Sequence, residues 1–144
     1  MNELDEEIAN LIGEIARYWR QRLDHRLRPL GLSQAKWRAL LHLSLSPGLS
    51  QRELSQRLSI EGPTLVRLLD RLSRDGYIER REDVNDRRCK QVYPTKKSAR
   101  IIREINAVVV AFRQELFDGM SHRELCAGAN MLYKIRERLD QNGN

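Results

Sequence analysis

Residues 50–94 read SQRELSQRLSIEGPTLVRLLDRLSRDGYIERREDVNDRRCKQVYP. The order of features in this stretch decides the fold. Ser50-Gln-Arg-Glu53 is a capping-box pattern: the serine can accept from the N–H of residue 53, and the glutamate can reach back to that of residue 50. Leu54 and Leu58 follow on one face of a short helix, and Ser59-Ile-Glu-Gly62 forms a turn. Pro63 suits the first turn of the next helix, where a missing N–H costs nothing. That helix runs to about Arg74, with Leu65, Leu69 and Leu72 facing inward. Thr64, Arg67, Arg71 and Arg74 are three or four residues apart and share the opposite face. Gly76 ends the helix, as the residue that tolerates a left-handed backbone. Tyr77–Arg81 and Lys90–Tyr93 have strand-like content. The polar turn between them carries Asn and Asp where turns favour them. Helix, turn, helix and basic hairpin in this order predict a winged helix-turn-helix, which lays its second helix in the DNA major groove.

Working outward, the apolar residues Leu4, Ile8, Leu11, Ile12, Ile15, Trp19, Leu23 and Leu27 recur in three- and four-residue steps. They predict an amphipathic helix that stops near Pro29 and Gly31. Ser33 can cap a second helix with Trp37, Leu40, Leu41 and Leu45 as its buried stripe, ended by Pro47-Gly48. Past the hairpin, Thr95 can cap a long helix striped by Ile101, Ile102, Ile105, Val108, Val109, Phe112 and Leu116. Ser121-His-Arg-Glu124 is a second capping box and opens a last helix with Leu125, Ala129, Leu132, Ile135 and Leu139 on one face. The expected fold is therefore mainly α with a small β-hairpin wing. One domain spans residues 1–144, with a DNA-binding lobe over 33–97 and dimerisation helices over 1–30 and 98–144. The flanking helices carry more apolar stripe than one small lobe can hide. It must be buried in an enlarged core or against a second copy. The second copy is the reading adopted, because symmetric dimers are the commonest oligomers.

The 144 residues carry a formal net charge of +6. A basic balance favours polyanionic partners, because cationic side chains displace counterions from phosphates. The acids gather at the N-terminus (Glu3, Asp5, Glu6, Glu7), and the excess of base lies in 17–38 and 80–100. Two isolated cysteines, Cys89 and Cys126, make no disulfide framework, which fits a reducing cytoplasm. No basic n-region followed by an apolar run opens the sequence, and no apolar run is long enough to span a bilayer. His25, His42 and His122 are scattered without metal-ligand spacing, and no phosphate loop or nucleophile elbow occurs. Neither an enzyme nor a cofactor is expected.

Arg67 and Arg71 are the candidate base readers, since a guanidinium can bond guanine O6 and N7 together. The alternative is a solvated face with Arg67–Asp70 or Arg71–Asp75 pairs. Thr64, beside Pro63 at the helix entry, suits a phosphate or a thymine methyl. Ser50, Gln51 and Arg52 can meet a phosphate from the start of their helix, aided by its dipole, while Ser50 also caps. Arg87 and Arg88 at the wing tip fit a narrow A·T-rich minor groove. Asp86 could hold one of them through a carboxylate pair. Lys90 and Arg81 would add phosphate contacts. Cys89 lies among Arg87, Arg88 and Lys90, which would lower its pKa; a passive thiol is nevertheless the reading adopted. Cys126 is expected to be a small buried residue.

Three stretches make the resemblance specific. Asp24-His-Arg-Leu-Arg-Pro-Leu30, with Leu32-Ser-Gln and Trp37 after it, is similar to the junction of the first two helices in the MarR family of bacterial transcriptional regulators. The closest likeness is to its SlyA branch. Ile60-Glu-Gly-Pro-Thr-Leu-Val-Arg67 resembles the family's recognition-helix entry, and Asp86-Arg-Arg-Cys-Lys90 its wing tip, where alanine is usual at position 89. The resemblance implies a homodimer on a pseudo-palindromic double-stranded DNA operator, with Arg88 as the wing residue in the minor groove and Arg87 as the alternative. It also implies a small aromatic carboxylate as effector, near Arg17 and Trp37. A plain core tryptophan and a surface arginine explain those two residues more simply. The peroxide sensors of the family carry their cysteine in the first helix, where this sequence has none. The rival to a regulator is a winged-helix module for protein interaction or non-specific nucleoid binding.

Overall fold

Three serines start three of the helices. Ser33 Oγ accepts from Lys36 N at 3.3 Å, Ser50 Oγ from Glu53 N at 3.0 Å, and Ser121 Oγ from Glu124 N at 3.1 Å. The computed structural model describes residues 2–143. They run α1 (Glu3–Leu27), a 3-10 turn (Arg28–Leu30), α2 (Gln34–Leu45), β1 (Leu49–Ser50), α3 (Gln51–Leu58), α4 (Gly62–Arg74), β2 (Ile78–Glu82), β3 (Lys90–Pro94), α5 (Ala99–Phe117) and α6 (His122–Gln141). The fold is mainly helical with a small antiparallel sheet, as the residue pattern implied. The sheet has three strands in the order β1-β3-β2, rather than the two of a simple hairpin. Leu49 pairs with Val92 and Ser50 with Gln91.

That third strand alters one cap. At Ser121 the capping box is complete, with Glu124 Oε2 accepting from Ser121 N at 2.8 Å. At Ser50, among the described residues, only the forward bond forms. Glu53 Oε1 accepts from the Ser50 hydroxyl at 3.1 Å instead, because the Ser50 backbone belongs to the sheet. Thr95 does not cap α5. Its hydroxyl donates to Gly76 O, and a turn through Ser98, whose hydroxyl bonds Thr95 O, leads into the helix at Ala99. Glycine is required by geometry in the connections that enter the sheet at β1 and β2. Gly48 has φ +85°, and a Cβ there would stand 2.9 Å from the Tyr93 hydroxyl; Gly76 has φ +77° where α4 turns into β2.

The described chain divides into two compact units, one reaching Val110 and the other beginning at Ala111. In the first, Leu27, Leu40, Leu43, Leu54, Leu65, Leu69, Leu72, Val92 and Ile105 are fully buried. Leu68, not expected inside, joins them. Leu45 does not: it is 73% exposed, and Leu41 is only half-buried. The buried row of α2 is Trp37, Leu40 and Leu43, and at 100° per residue position 45 turns to the far side. Leu4, Leu11, Ile12 and Ile15 of α1 are exposed. In the second unit, Leu125, Met131, Leu132 and Leu139 of α6 are exposed as well.

His42 of α2 is half-buried, and burial and the positive charges of Arg38 and Arg57 hold its pKa below the ordinary imidazole value. A depressed histidine contributes stability that is fully present above its unfolded-state pKa, about 6.5, and lost as pH falls through the lower folded value. The thermal midpoint should therefore drop as pH is lowered below about 6.5. His42→Gln should flatten that drop, and parallel pH profiles for the two proteins would refute it.

Candidate nucleic-acid interface

The face of α4 opposite its buried leucines is lined by Thr64, Arg67, Arg71 and Arg74, all exposed. The acids that could have neutralised it are engaged elsewhere. Asp70 pairs with Arg80 of β2 at 2.8 Å, and Asp75 with Lys36 of α2 at 2.9 Å. Arg67 Nη2 donates to Thr64 Oγ1 at 3.4 Å, a long and weak bond. The expected alternative of Arg67–Asp70 and Arg71–Asp75 pairs is not what forms among the described residues. The face presents cations without carboxylates, as a polyanion-binding surface requires. Sequence alone does not single out Arg80 or Lys36, because their partners are reached only through the tertiary fold.

At the start of α3, Ser50 is occupied as a cap, Gln51 is half-buried and Arg52 is exposed. The Gln51 Oε1 is buried without a hydrogen-bond partner among the described residues. The charge of Arg52 acts on the Cys89 thiol, so the start of α3 lies close to the wing. Sequence reasoning missed this proximity.

The loop between β2 and β3 is shaped by its own acids. Asp83 N donates to Cys89 O at 2.9 Å and closes the loop; Asn85 N donates to Asp83 Oδ1 at 2.9 Å. Asp86 Oδ1 accepts from Arg88 N at 3.0 Å, and Asp86 O from Cys89 N at 3.0 Å. Asp86 thus holds the backbone of the tip and, among the described residues, pairs with neither guanidinium. Its carboxylate accepts from the Arg88 N–H and its carbonyl from that of Cys89, while Arg87, Arg88 and Lys90 stay exposed. The same carboxylate corrects the reading of Cys89. The thiol's pKa is raised, chiefly by the negative charge of Asp86, then by lost hydration, a 3.7 Å bond to Asp86 and the charge of Asp83, and Arg52 only partly opposes this. Arg81 pairs with Glu79 and lies 4.3 Å over the Tyr93 ring, which fixes it at the base of the wing. Pro63 sits exposed in the first turn of α4.

The two effector candidates lie apart in character. Trp37 is 2% exposed, and its Nε1 donates to Asp24 Oδ1 at 3.2 Å. Arg17 is exposed on α1, its guanidinium 5.2 Å from the Tyr18 ring. An open hollow lined by Tyr18, Arg22, Asp24, His25 and Arg28 includes neither. Cys126, expected inside, is exposed on α6 with its sulfur 3.4 Å from His122 Nε2. It lies in the first turns of a helix whose residues are nearly all exposed, so no core is available to take it. Among the described residues no three His, Cys, Asp or Glu gather as a metal site needs, and no helix is long and apolar enough to cross a membrane.

Known proteins share this architecture. The MarR family model matches residues 30–88, from the end of the 3-10 turn to the wing tip. The solved transcriptional regulator PA3341 is 38% identical, with 94% of this chain and 99% of that one covered and a TM-score of 0.88. A MarR-family transcriptional regulator from Silicibacter pomeroyi is 30% identical over 92% of this chain and 89% of its own, with a TM-score of 0.80. The S. aureus MepR–DNA complex matches at 24% identity over 92% of this chain and 97% of that one, with a TM-score of 0.76, a likeness of fold.

Proposed function

Because this chain belongs to the MarR family of transcriptional regulators, we propose that it binds a pseudo-palindromic DNA operator as a homodimer, with α4 in the major groove and the β2–β3 wing in the minor groove. It is a DNA-binding transcription regulator and not an enzyme. The observation that carries the proposal is the carboxylate-free face of α4, where Arg67 and Arg71 stand exposed while Asp70 and Asp75 serve Arg80 and Lys36. Arg52, Arg81, Arg87, Arg88 and Lys90 extend the positive surface from α3 to the wing. The MepR–DNA complex, of the same fold, supports DNA as the partner.

The homodimer rests on the apolar side chains that neither unit covers, on α1 and on α6. Residues 33–97 would then read DNA, and 1–30 with 98–144 would hold the two copies together. The junction and wing residues quoted above support a position near the SlyA branch. The test is selection of bound fragments from genomic DNA, followed by footprinting. The proposal expects two protected half-sites about one helical turn apart and a specific affinity about 10³-fold or more above that for random DNA. Equal affinity for both at every salt concentration would favour the nucleoid-type module instead.

The wing carries its own prediction. Arg88→Ala should abolish the preference for A·T-rich flanks, because the narrow groove's negative potential loses the cation it attracts. Flank preference that survives in binding-site selection would show that Arg88 reads no groove.

A further inference from the structure

Away from the α4 face and the wing, a second group of cations lies where α2 meets α3. Arg38 and His42 are one helical turn apart on α2, and both are half-buried. Arg57, near the end of α3, donates from Nη1 to Ser46 Oγ at 3.2 Å, across the gap to the C-cap of α2. Arg38 Nη1 donates at 3.4 Å to the carbonyl of Leu58, the last residue of α3. Arg20 of α1, its Nε directed to Ala16 O at 3.3 Å, is close enough for its charge to act on Arg38. Among the described residues, the acceptors of these guanidiniums are neutral oxygens. None of the three arginines forms an ion pair among the described residues. The charges acting on His42 are both positive.

Arg38 is half-buried and keeps its charge without a counter-ion, which is unfavourable because it loses water without gaining a partner; Arg57 and Arg20 stand exposed beside it. Each guanidinium has five N–H donors in a fixed fork, and the bonds named use one apiece. The remaining donors suit a small oxyanion, which accepts from arginine forks in parallel. We propose that Arg38, His42 and Arg57, with Arg20 at the margin, form a binding site for a small oxyanion such as phosphate, separate from the DNA-reading surface. His42 is the responsive member. With the site empty, its neighbours and its burial disfavour the charged imidazole. A bound anion reverses the sign of the local field and draws a proton onto the ring. By linkage the anion binds more tightly when His42 is protonated, so acid both loosens the empty protein and favours the filled one.

The test is NMR titration of the full chain with inorganic phosphate, at constant ionic strength held with chloride, together with thermal unfolding. Three proteins are compared: the unmodified chain, Arg57→Gln, and the double variant Arg67→Gln/Arg88→Gln. The expected result is saturable binding, an upward movement of the His42 titration midpoint and a raised thermal midpoint. A rise of one pH unit in that titration midpoint corresponds to tenfold tighter binding to the protonated form. Arg57→Gln should lose the response, and Arg57→Lys, which keeps the charge without the fork, should retain part of it. The double variant should respond like the unmodified chain, because its changes lie on the DNA surface. Loss of the response in the double variant but not in Arg57→Gln would assign the anion to the DNA surface and overturn the proposal. Equal responses in all three, or an unmoved His42, would reduce the effect to bulk salt and overturn it too. None of these outcomes bears on operator binding, which is measured separately.

Discussion

Removal of residues 121–144 should leave a protein that sediments as a monomer and binds its operator about 10²–10⁴-fold more weakly, the loss expected when two linked sites become one. The reasoning starts from α6. Its capping box at Ser121 and Glu124 makes it a well-started helix, yet Leu132 and Leu139 are 51% and 66% exposed. Apolar area left in water costs about 25 cal/mol per Å². A helix with this stripe is stabilised by whatever covers it, and a second copy of the chain offers the same stripe in return. Circular dichroism should show that the remaining helices persist, so that loss of dimer is distinguished from loss of fold. A truncated protein that still sediments as a dimer would place the interface elsewhere.

Arg67→Ala should cost roughly 1–3 kcal/mol in operator binding and relax preference at one base position per half-site. Among the described residues Arg67 is tethered only by the 3.4 Å bond to Thr64, so little is lost when it turns to a guanine edge. Asp70 stands three residues away but is held by Arg80 at 2.8 Å and does not compete for it. Binding-site selection with the variant measures the relaxation. Uniform weakening over all sequences, with a salt dependence reduced by about one phosphate's worth, would show that Arg67 meets only the backbone.

The helical frame was legible in the sequence because helix ends are written locally. Ser33, Ser50, Pro63, Gly76 and Ser121 each act through bonds or dihedrals within four residues, and each stands where the sequence places it. Strand β1 was not legible. Two residues cannot show alternation, and Leu49-Ser50 becomes a strand only because Val92 and Gln91 lie opposite. Thr95 misled for a related reason. Its hydroxyl found Gly76 O, nineteen residues away, before it could cap α5.

Within the candidate site, the exposed row of α4 followed from helical spacing alone. The destinations of Asp70 and Asp75 did not, since sequence neighbours suggested Arg67 and Arg71 while the fold delivered Arg80 and Lys36. Cys89 shows the same limit in electrostatics. Counting adjacent arginines predicted a lowered pKa, whereas the turn brings the Asp86 carboxylate to the sulfur and the pKa is raised. Charge along a chain says little about a field until the loop's shape is known.

The two-residue strand has a consequence for how the protein would leave DNA. Ser50 pairs with Gln91 in the sheet and caps α3 through Glu53 N. The base of the wing and the first turn of α3 therefore meet at one residue, with no linker between them. Withdrawal of the wing from its groove would pull on the start of α3 at the same moment. Departure from each half-site is then a single concerted event, and its time course should lack a slow phase in which the wing is free and the helices remain docked.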